Sequence, residues 1–185
     1  MKLIIGLGNP GKEYIRTRHN AGFLALDALA EKLGIFWTSK AEYKADVAKT
    51  FVETNRVLLA KPTTFMNLSG QTVVALMNFY KVEPNDILIV QDDMDRVPGQ
   101  MDFLPQGGNA GHNGIASIFE LTGRQDFTRL RIGVGRPDNK EIKTEDWVLG
   151  GLNQETVKKI EEAPEAIIDW ITLGLQKAMN KWNVK

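Results

Sequence analysis

The stretch Leu3-Ile4-Ile5-Gly6-Leu7-Gly8-Asn9-Pro10-Gly11 places a continuous apolar run directly before a glycine-rich loop. A run of this kind predicts a strand that is buried on both faces of a sheet. The run Ile87-Leu88-Ile89-Val90 has the same character and leads directly into Gln91-Asp92-Asp93-Met94-Asp95. Segments of helical period lie between such runs. This alternation predicts a single three-layer α/β/α domain over residues 1–185 with a mixed, mostly parallel sheet.

The other elements follow from the apolar period and from capping residues. Asn20 is predicted to cap the first long helix, which ends near Gly34. Ser69 is predicted to cap a helix through Tyr80, and Pro164 is predicted near the start of a helix. The remaining predicted elements are paired strands at 47–52 and 57–60, a short edge strand at 100–103, a helix at 113–121, a strand at 130–134 and helical segments within 153–182.

Charge limits the classes of function that the chain can have. It has 185 residues, of which 23 are basic and 23 acidic, so its formal net charge is zero. A protein that grips nucleic acid with its whole surface is usually basic, so any such role must rest on a local patch. The candidate residues for that patch, which could equally form a solvated rim, are Arg129, Arg131, Arg136, Lys140 and Lys143.

Composition also bears on the location of the protein. No apolar run approaches the roughly 18 residues of a membrane span, and the apolar stretch after Lys2 is too short for the core of a secretory signal. The absence of cysteine excludes disulfides and thiolate metal sites, and it fits a reducing compartment. We therefore expect a cytoplasmic protein that does not enter a membrane.

The loop at 6–11 fits the G-x-G-x-x-G pattern of dinucleotide-binding sites. Residues 12–18 lack the apolar face of a helix packed on a sheet, and Asp27 lies inside the first helix rather than at the end of a second strand. An NAD(P)-binding oxidoreductase and a purely structural turn both remain alternatives. In a third interpretation, Asn9 is extended before Pro10 and projects its amide over the carboxyl end of the sheet.

The two histidines, His19 and His112, are each followed by asparagine in a glycine-flanked loop. His19 lies between the first strand and the first helix, and Asp92 lies just past a buried strand, so both are expected at one edge of the sheet. A carboxylate bonded to one imidazole nitrogen raises the basicity of the other, which lets histidine activate a water. Because the chain has no G-x-S-x-G motif and no cysteine, direct attack by water is simpler than a covalent acyl intermediate.

Other interpretations of these residues stay open. A loop histidine can be inert, and the acidic segment 92–95 could be solvated or could hold a divalent cation. Zinc is less favoured, since two histidines would have to supply all the nitrogen ligands. Asn9, Asn67 and Asn113 could bond a peptide backbone without adding charge, which suits a peptide-like substrate, although loop asparagines also form turns.

Several short motifs occur along the chain in a fixed order. They are Gly6-Leu7-Gly8-Asn9-Pro10-Gly11 with Tyr14, Thr17-Arg18-His19-Asn20-Ala21-Gly22, Lys61-Pro62-Thr63-Thr64-Phe65-Met66-Asn67-Leu68-Ser69-Gly70, Asp92-Asp93-Met94-Asp95, Gly111-His112-Asn113-Gly114 and Arg129-Leu130-Arg131-Ile132-Gly133-Val134-Gly135. In this order they resemble the bacterial-type peptidyl-tRNA hydrolase family. The resemblance covers essentially the whole chain.

The resemblance implies a cytoplasmic enzyme, usually a monomer without a cofactor. Such an enzyme hydrolyses the ester between a peptide and the ribose of tRNA and so recycles tRNA from aborted translation. By motif position, His19 is the catalytic base and Asp92 is its partner. The positions that the family places at the substrate are Asn9, Asn67 and Asn113, which bind it, and Tyr14, Met66 and His112, which surround it.

The chain departs from the family pattern in places that bear on tRNA binding. Gln91 stands where histidine often precedes the partner aspartate, and Ala110 replaces a usual glycine. Basic residues common in the family are missing at 101–104 and at Ala116. The region of Arg129, Arg131 and Lys140 is expected to compensate. A catalytically silent RNA-binding relative is a further alternative, against which the intact His19 and Asp92 argue.

Overall fold

A computed structural model describes residues 1–183 of the chain, and these contain one seven-stranded sheet. The strands are β1 (Lys2–Gly6), β2 (Thr38–Lys40), β3 (Ala45–Val52), β4 (Asn55–Pro62), β5 (Ile87–Asp93), β6 (Met101–Leu104) and β7 (Thr128–Gly133), in the order β2-β3-β4-β1-β5-β7-β6. β1 is parallel to β4 and β5, and β5 is parallel to β7. The antiparallel pairs lie towards the two edges. The prediction of a mixed α/β sheet is confirmed.

Helices cover both faces of this sheet. They are α1 (Ala21–Lys32), α2 (Ser69–Tyr80), α3 (Asn113–Thr122), α4 (Thr144–Val148), α5 (Gln154–Leu173) and α6 (Leu175–Trp182). One apolar cluster joins Ile4 to α1, α5 and α6, and a second joins Leu3 and Ile5 to α2 and α3. Successive side chains of a strand point to opposite faces, so the apolar run in β1 is buried on both sides, as predicted. No helix among residues 1–183 is long and apolar enough to span a membrane.

Gly6 and Gly8 of the loop at 6–11 serve helix packing, which favours a structural role for these glycines over dinucleotide binding. A Cβ on Gly6 would lie 2.5 Å from the carbonyl oxygen of Gly22, and a Cβ on Gly8 would meet the ring of Phe23. These contacts bring the first turns of α1 close to the end of β1. The loop continues from Gly11 into a 3-10 turn, Lys12–Tyr14, rather than into a helix whose N-terminus could face a pyrophosphate.

Three local predictions about helix ends fail. Asn20 does not cap α1 with its side chain, which instead pairs with the backbone of Asn9. Ser69 is the first residue of α2, and its hydroxyl donates to the carbonyl of Met66. Pro164 lies inside α5, where burial of the helix's apolar face offsets the backbone hydrogen bond that proline cannot make. β2 and α4 were not predicted from the sequence.

Candidate active site

The carboxyl ends of β1 and β5 are neighbours, and this places the two predicted catalytic residues side by side. Gly6 is in register with Val90, and the amide of Leu7 still donates to the Val90 carbonyl at 2.9 Å. The chain after β1 returns through a 3-10 turn, Arg18–Asn20, which carries His19. Asp92 is the second-last residue of β5. The predicted meeting of the two side chains at one sheet edge therefore has a direct topological cause.

His19 and Asp92 form a buried hydrogen-bonded pair. His19 Nδ1 lies 3.0 Å from Oδ1 and 3.1 Å from Oδ2 of the carboxylate, and Asp92 is only 2% exposed. Burial alone would lower the pKa of His19, but the charge and hydrogen bond of Asp92 outweigh it and raise that pKa above its ordinary value. Burial alone would raise the pKa of Asp92, but the two imidazoles lower it below its ordinary range. The carboxylate is thus ionised and orients the ring.

His112 contacts the same carboxylate from the other side. Its Nε2 lies 3.0 Å from Asp92 Oδ1, and its ring centre lies 4.9 Å from that of His19. Its Nδ1 accepts hydrogen bonds from the backbone amides of Gly114 at 3.1 Å and Ile115 at 3.4 Å, so His112 caps α3. A nitrogen that accepts carries no proton, which assigns the ring proton to Nε2. The sequence analysis did not foresee this cap.

The site does not fit a metal ion. His19, Asp92 and His112 offer ligand atoms within 4.8 Å of one another. The imidazole nitrogens that face Asp92, however, are in hydrogen-bond contact with it, and the Nδ1 lone pair of His112 is used by the α3 cap. A cation would have to displace both hydrogen bonds and find ligands elsewhere.

The acidic segment after β5 does not gather its carboxylates around a cation. Asp93 accepts from the amide of Asp95 and contacts Arg131, while Asp95 pairs with Arg136. With Asp92 directed at the histidines, the three carboxylates of 92–95 diverge. The proposed divalent-cation site at this segment therefore finds no support in the described residues.

The side chain of Asn9 is oriented by its neighbours so that its NH₂ group remains available to donate. Asn20, which is 2% exposed, bonds both backbone groups of Asn9: its Oδ1 accepts from the amide at 2.9 Å, and its Nδ2 donates to the carbonyl at 3.0 Å. Asn9 Oδ1 accepts from the amide of Met66 at 2.8 Å. In the described chain its Nδ2 has no hydrogen-bond partner. Asn20 thus acts by orienting Asn9, a role that its position next to His19 did not reveal.

The remaining predicted residues lie around this centre at different depths. Met66 is buried and packs against the start of α3, since a Cβ on Gly114 would lie 2.6 Å from its sulfur. Asn67 and Asn113 are exposed, and Tyr14 is half-buried in its 3-10 turn. The structure brings His19, Asp92 and His112 into contact and links Asn9 to Met66. Neither Asn67 nor Tyr14 forms a hydrogen bond with His19, Asp92 or His112.

A cavity of about 410 Å³ opens beside the histidines. Its lining includes residues from several parts of the chain, namely His19, Asp92, His112, Asn113, Arg136, Thr144, Glu145 and Val148. Asn9 lies outside it and lines a neighbouring cavity of about 350 Å³ together with Asn20. The His19–Asp92 pair, called the dyad below, can therefore be reached by a small reactant such as water from a partly enclosed space.

Comparisons with known proteins identify the family. A family model described as peptidyl-tRNA hydrolase matches residues 3–185. The chain belongs to the peptidyl-tRNA hydrolase family. A peptidyl-tRNA hydrolase from Desulforamulus reducens is 44% identical to it, and the match covers 100% of this chain and 90% of the relative.

Solved structures of peptidyl-tRNA hydrolases have the same fold as this family member. One, in complex with n-propanol, matches with a TM-score of 0.93 and 37% identity over 100% of this chain and 95% of the other. The enzyme from Acinetobacter baumannii matches with a TM-score of 0.89 and 38% identity over the same shares. The resemblance seen in the motifs is confirmed, and so is the fold class.

The basic patch expected of this peptidyl-tRNA hydrolase family member is only partly present. Arg129 is 1% exposed and donates to the carbonyl of Gly108. Arg131 makes two hydrogen bonds to Asp102, which lies opposite it on β6. Arg129 is buried and Arg131 is paired with Asp102, which argues against the expected compensation for the missing basic residues by these two arginines. Lys140 is exposed, and its part in tRNA binding stays a prediction.

Proposed function

We propose that His19 and Asp92 carry out the hydrolysis of peptidyl-tRNA in this chain, with His19 as general base. The observation that carries the proposal is the buried pair, in which Asp92 holds His19 Nδ1 at 3.0 Å beside a cavity. With Nδ1 donating to the carboxylate, Nε2 is the nitrogen left to accept a proton. Among residues 1–183, no group forms a hydrogen bond with that nitrogen.

The reaction then follows from the proton positions. His19 Nε2 takes a proton from water as the water oxygen attacks the ester carbonyl carbon, and the carbonyl electrons move onto oxygen. Asp92 stabilises the imidazolium that forms. When the tetrahedral intermediate collapses, the bond to the ribose oxygen breaks and His19 returns its proton to that oxygen. The products are a free peptide carboxyl group and tRNA with its ribose hydroxyl restored.

Asn9 is proposed to donate from Nδ2 to the carbonyl oxygen of the substrate. Its acceptor atom is occupied by the amide of Met66, and its backbone is held by Asn20. A fixed donor stabilises the negative charge that develops on this oxygen in the transition state. Asn67 and Asn113 are proposed to bind the peptide backbone at the exposed rim, and Tyr14, Met66 and His112 to lie around the substrate.

Asn9→Asp should lower kcat for peptidyl-tRNA hydrolysis about 10²-fold or more. The substitution keeps the size and the acceptor for the Met66 amide but removes the donor and adds negative charge. Steady-state kinetics with wild type and Asn9→Ala for comparison would measure it, and the aspartate variant should be at least as slow as the alanine variant. A rise in KM at unchanged kcat would contradict a role in the transition state.

We further propose that the chain acts as a single-domain monomer in the cytoplasm and needs no cofactor. The single sheet that joins β1 to β7 supports the domain assignment. The absence of cysteine suits a reducing compartment, and the substrate arises in translation.

The purified chain should release peptide from peptidyl-tRNA at the same rate with and without excess EDTA. The expectation rests on the dyad, which activates water without a Lewis acid. Loss of activity in EDTA, restored by a divalent metal, would overturn the cofactor-free mechanism. Binding of tRNA without any peptide release would instead favour the silent RNA-binding alternative.

A further inference from the structure

We propose that His112 is a positioning residue that tunes His19 through the carboxylate they share. The inference rests on the proposed role of His19 as base. The role of His112 here does not require contact with the substrate. Its N–H donates to Asp92 Oδ1, and this hydrogen bond limits how strongly the carboxylate attracts the proton on His19.

The backbone of α3 fixes the direction of the His112 ring. The amides of Gly114 and Ile115 both point at Nδ1, so the ring cannot turn without leaving two helix N-terminal amides unpaired. The His112 side chain is 7% exposed, which leaves little water to replace those bonds. The start of α3 therefore holds the ring in place, with its Nε2–H directed at Asp92 Oδ1.

The shared oxygen makes the two histidines compete. His112 and His19 each lie 3.0 Å from Asp92 Oδ1, and His19 has a second contact with Oδ2 at 3.1 Å. A hydrogen bond from neutral His112 spreads the negative charge of the carboxylate and weakens its attraction for the proton on His19. Removing that bond should make protonated His19 more stable.

Other charged residues adjoin His19 in sequence or line the same cavity. Among residues 1–183 they are Arg18, Asp93, Arg136 and Glu145. Arg18 stacks on Trp147 at 3.7 Å from the ring centre, and Asp93 contacts Arg131. The hydrogen bond from neutral His112 to Asp92 is therefore a direct contact with the His19–Asp92 pair, and a single substitution can remove it.

His112→Asn is the informative variant. Asparagine is a good N-cap, so its side-chain oxygen can still accept from the first amides of α3, while the imidazole N–H is lost. The titration of His19 should move to higher pH in the variant. The ratio of kcat/KM at about pH 5.5 to its value at about pH 8 should fall roughly threefold to tenfold, since the base must be unprotonated to act. His112→Ala loses both the cap and the N–H. Comparison of the two variants therefore separates the effect of the cap on stability from the effect of the N–H on the pKa of His19.

Nuclear magnetic resonance tests the proposal without relying on activity. The chain has only two histidines, so comparison of wild type with the variant assigns both rings. We expect wild-type His112 to show an unprotonated Nδ1 at neutral pH, and the His19 titration to shift upward in His112→Asn. An unchanged or lower His19 midpoint, or a protonated Nδ1 on neutral His112, would overturn the proposal. A raised midpoint in a chain that fails to hydrolyse peptidyl-tRNA would support the tuning while rejecting the proposed function.

Discussion

Replacing His19 by alanine is expected to lower kcat for peptidyl-tRNA hydrolysis by about 10²- to 10⁴-fold, the usual contribution of a general base. The attacking water would lose its proton acceptor, because His19 Nε2 is the ring nitrogen that the hydrogen bond to Asp92 leaves free. Asp92 would keep the hydrogen bond from His112, so the buried carboxylate would retain one donor. We therefore expect the chain to stay folded, and thermal unfolding together with tRNA binding would verify this.

His19→Gln is the shape-matched control for that experiment. Glutamine has a similar length and can donate an N–H to Asp92, but it cannot take up a proton near neutral pH. The glutamine and alanine variants should be similarly inactive if proton transfer is what His19 contributes. Imidazole added to the alanine variant should restore part of the activity by occupying the space beside Asp92. A glutamine variant that keeps near-normal kcat would contradict the assignment of the base.

The His19–Asp92 pair could be predicted from sequence because it depends on the order of the strands and helices along the chain. His19 lies between β1 and α1, Asp92 is the second-last residue of β5, and the carboxyl ends of these parallel neighbours lie at the same edge of the sheet. The apolar runs decide where those strands lie. The same reasoning predicted the mixed α/β architecture, since alternating strands and helices leave few other arrangements.

The supporting contacts could not be predicted because they depend on backbone groups far along the chain. Asn20 has the sequence context of a helix cap, yet the backbone of Asn9 offers it two hydrogen bonds in place of one. His112 is not a residue that capping preferences favour, yet it caps α3 because Asp92 fixes its other nitrogen. Arg131 was predicted to belong to a basic patch, but its charge is neutralised by Asp102 on the adjacent strand.

These contacts also show what the asparagines near the active site of this chain contribute. An asparagine can satisfy a backbone donor and a backbone acceptor together, so Asn20 fixes the position of Asn9 without placing a charge near the reacting ester. Asn9 in turn joins the β1 loop to Met66, which packs on Gly114 at the start of α3. The Asn9 side chain and the His112 cap are thereby parts of one packed unit.

Asp92→Asn is expected to lower kcat about as much as loss of His19, roughly 10²- to 10⁴-fold. An asparagine side chain can accept through one atom only, whereas Asp92 accepts from both histidines. Because the α3 cap keeps the His112 N–H directed at this side chain, the amide oxygen should turn to His112 and the amide NH₂ to His19. His19 would then have to accept at Nδ1 and carry its proton on Nε2, which is the wrong tautomer for a base.

Asp93→Asn is the matched control for Asp92→Asn. Asp93 is the next residue of β5, but it contacts Arg131 and the Asp95 amide rather than either histidine, so its effect on kcat should be far smaller. In the Asp92 variant, the nitrogen resonances of His19 should show the proton on Nε2 instead of Nδ1, and the pKa of His19 should fall because the nearby negative charge is gone. A variant that is slow yet keeps the wild-type tautomer and titration would mean that Asp92 acts through packing alone. The tautomer is thus the decisive readout, since it separates a carboxylate that orients the base from one that only fills the space beneath it.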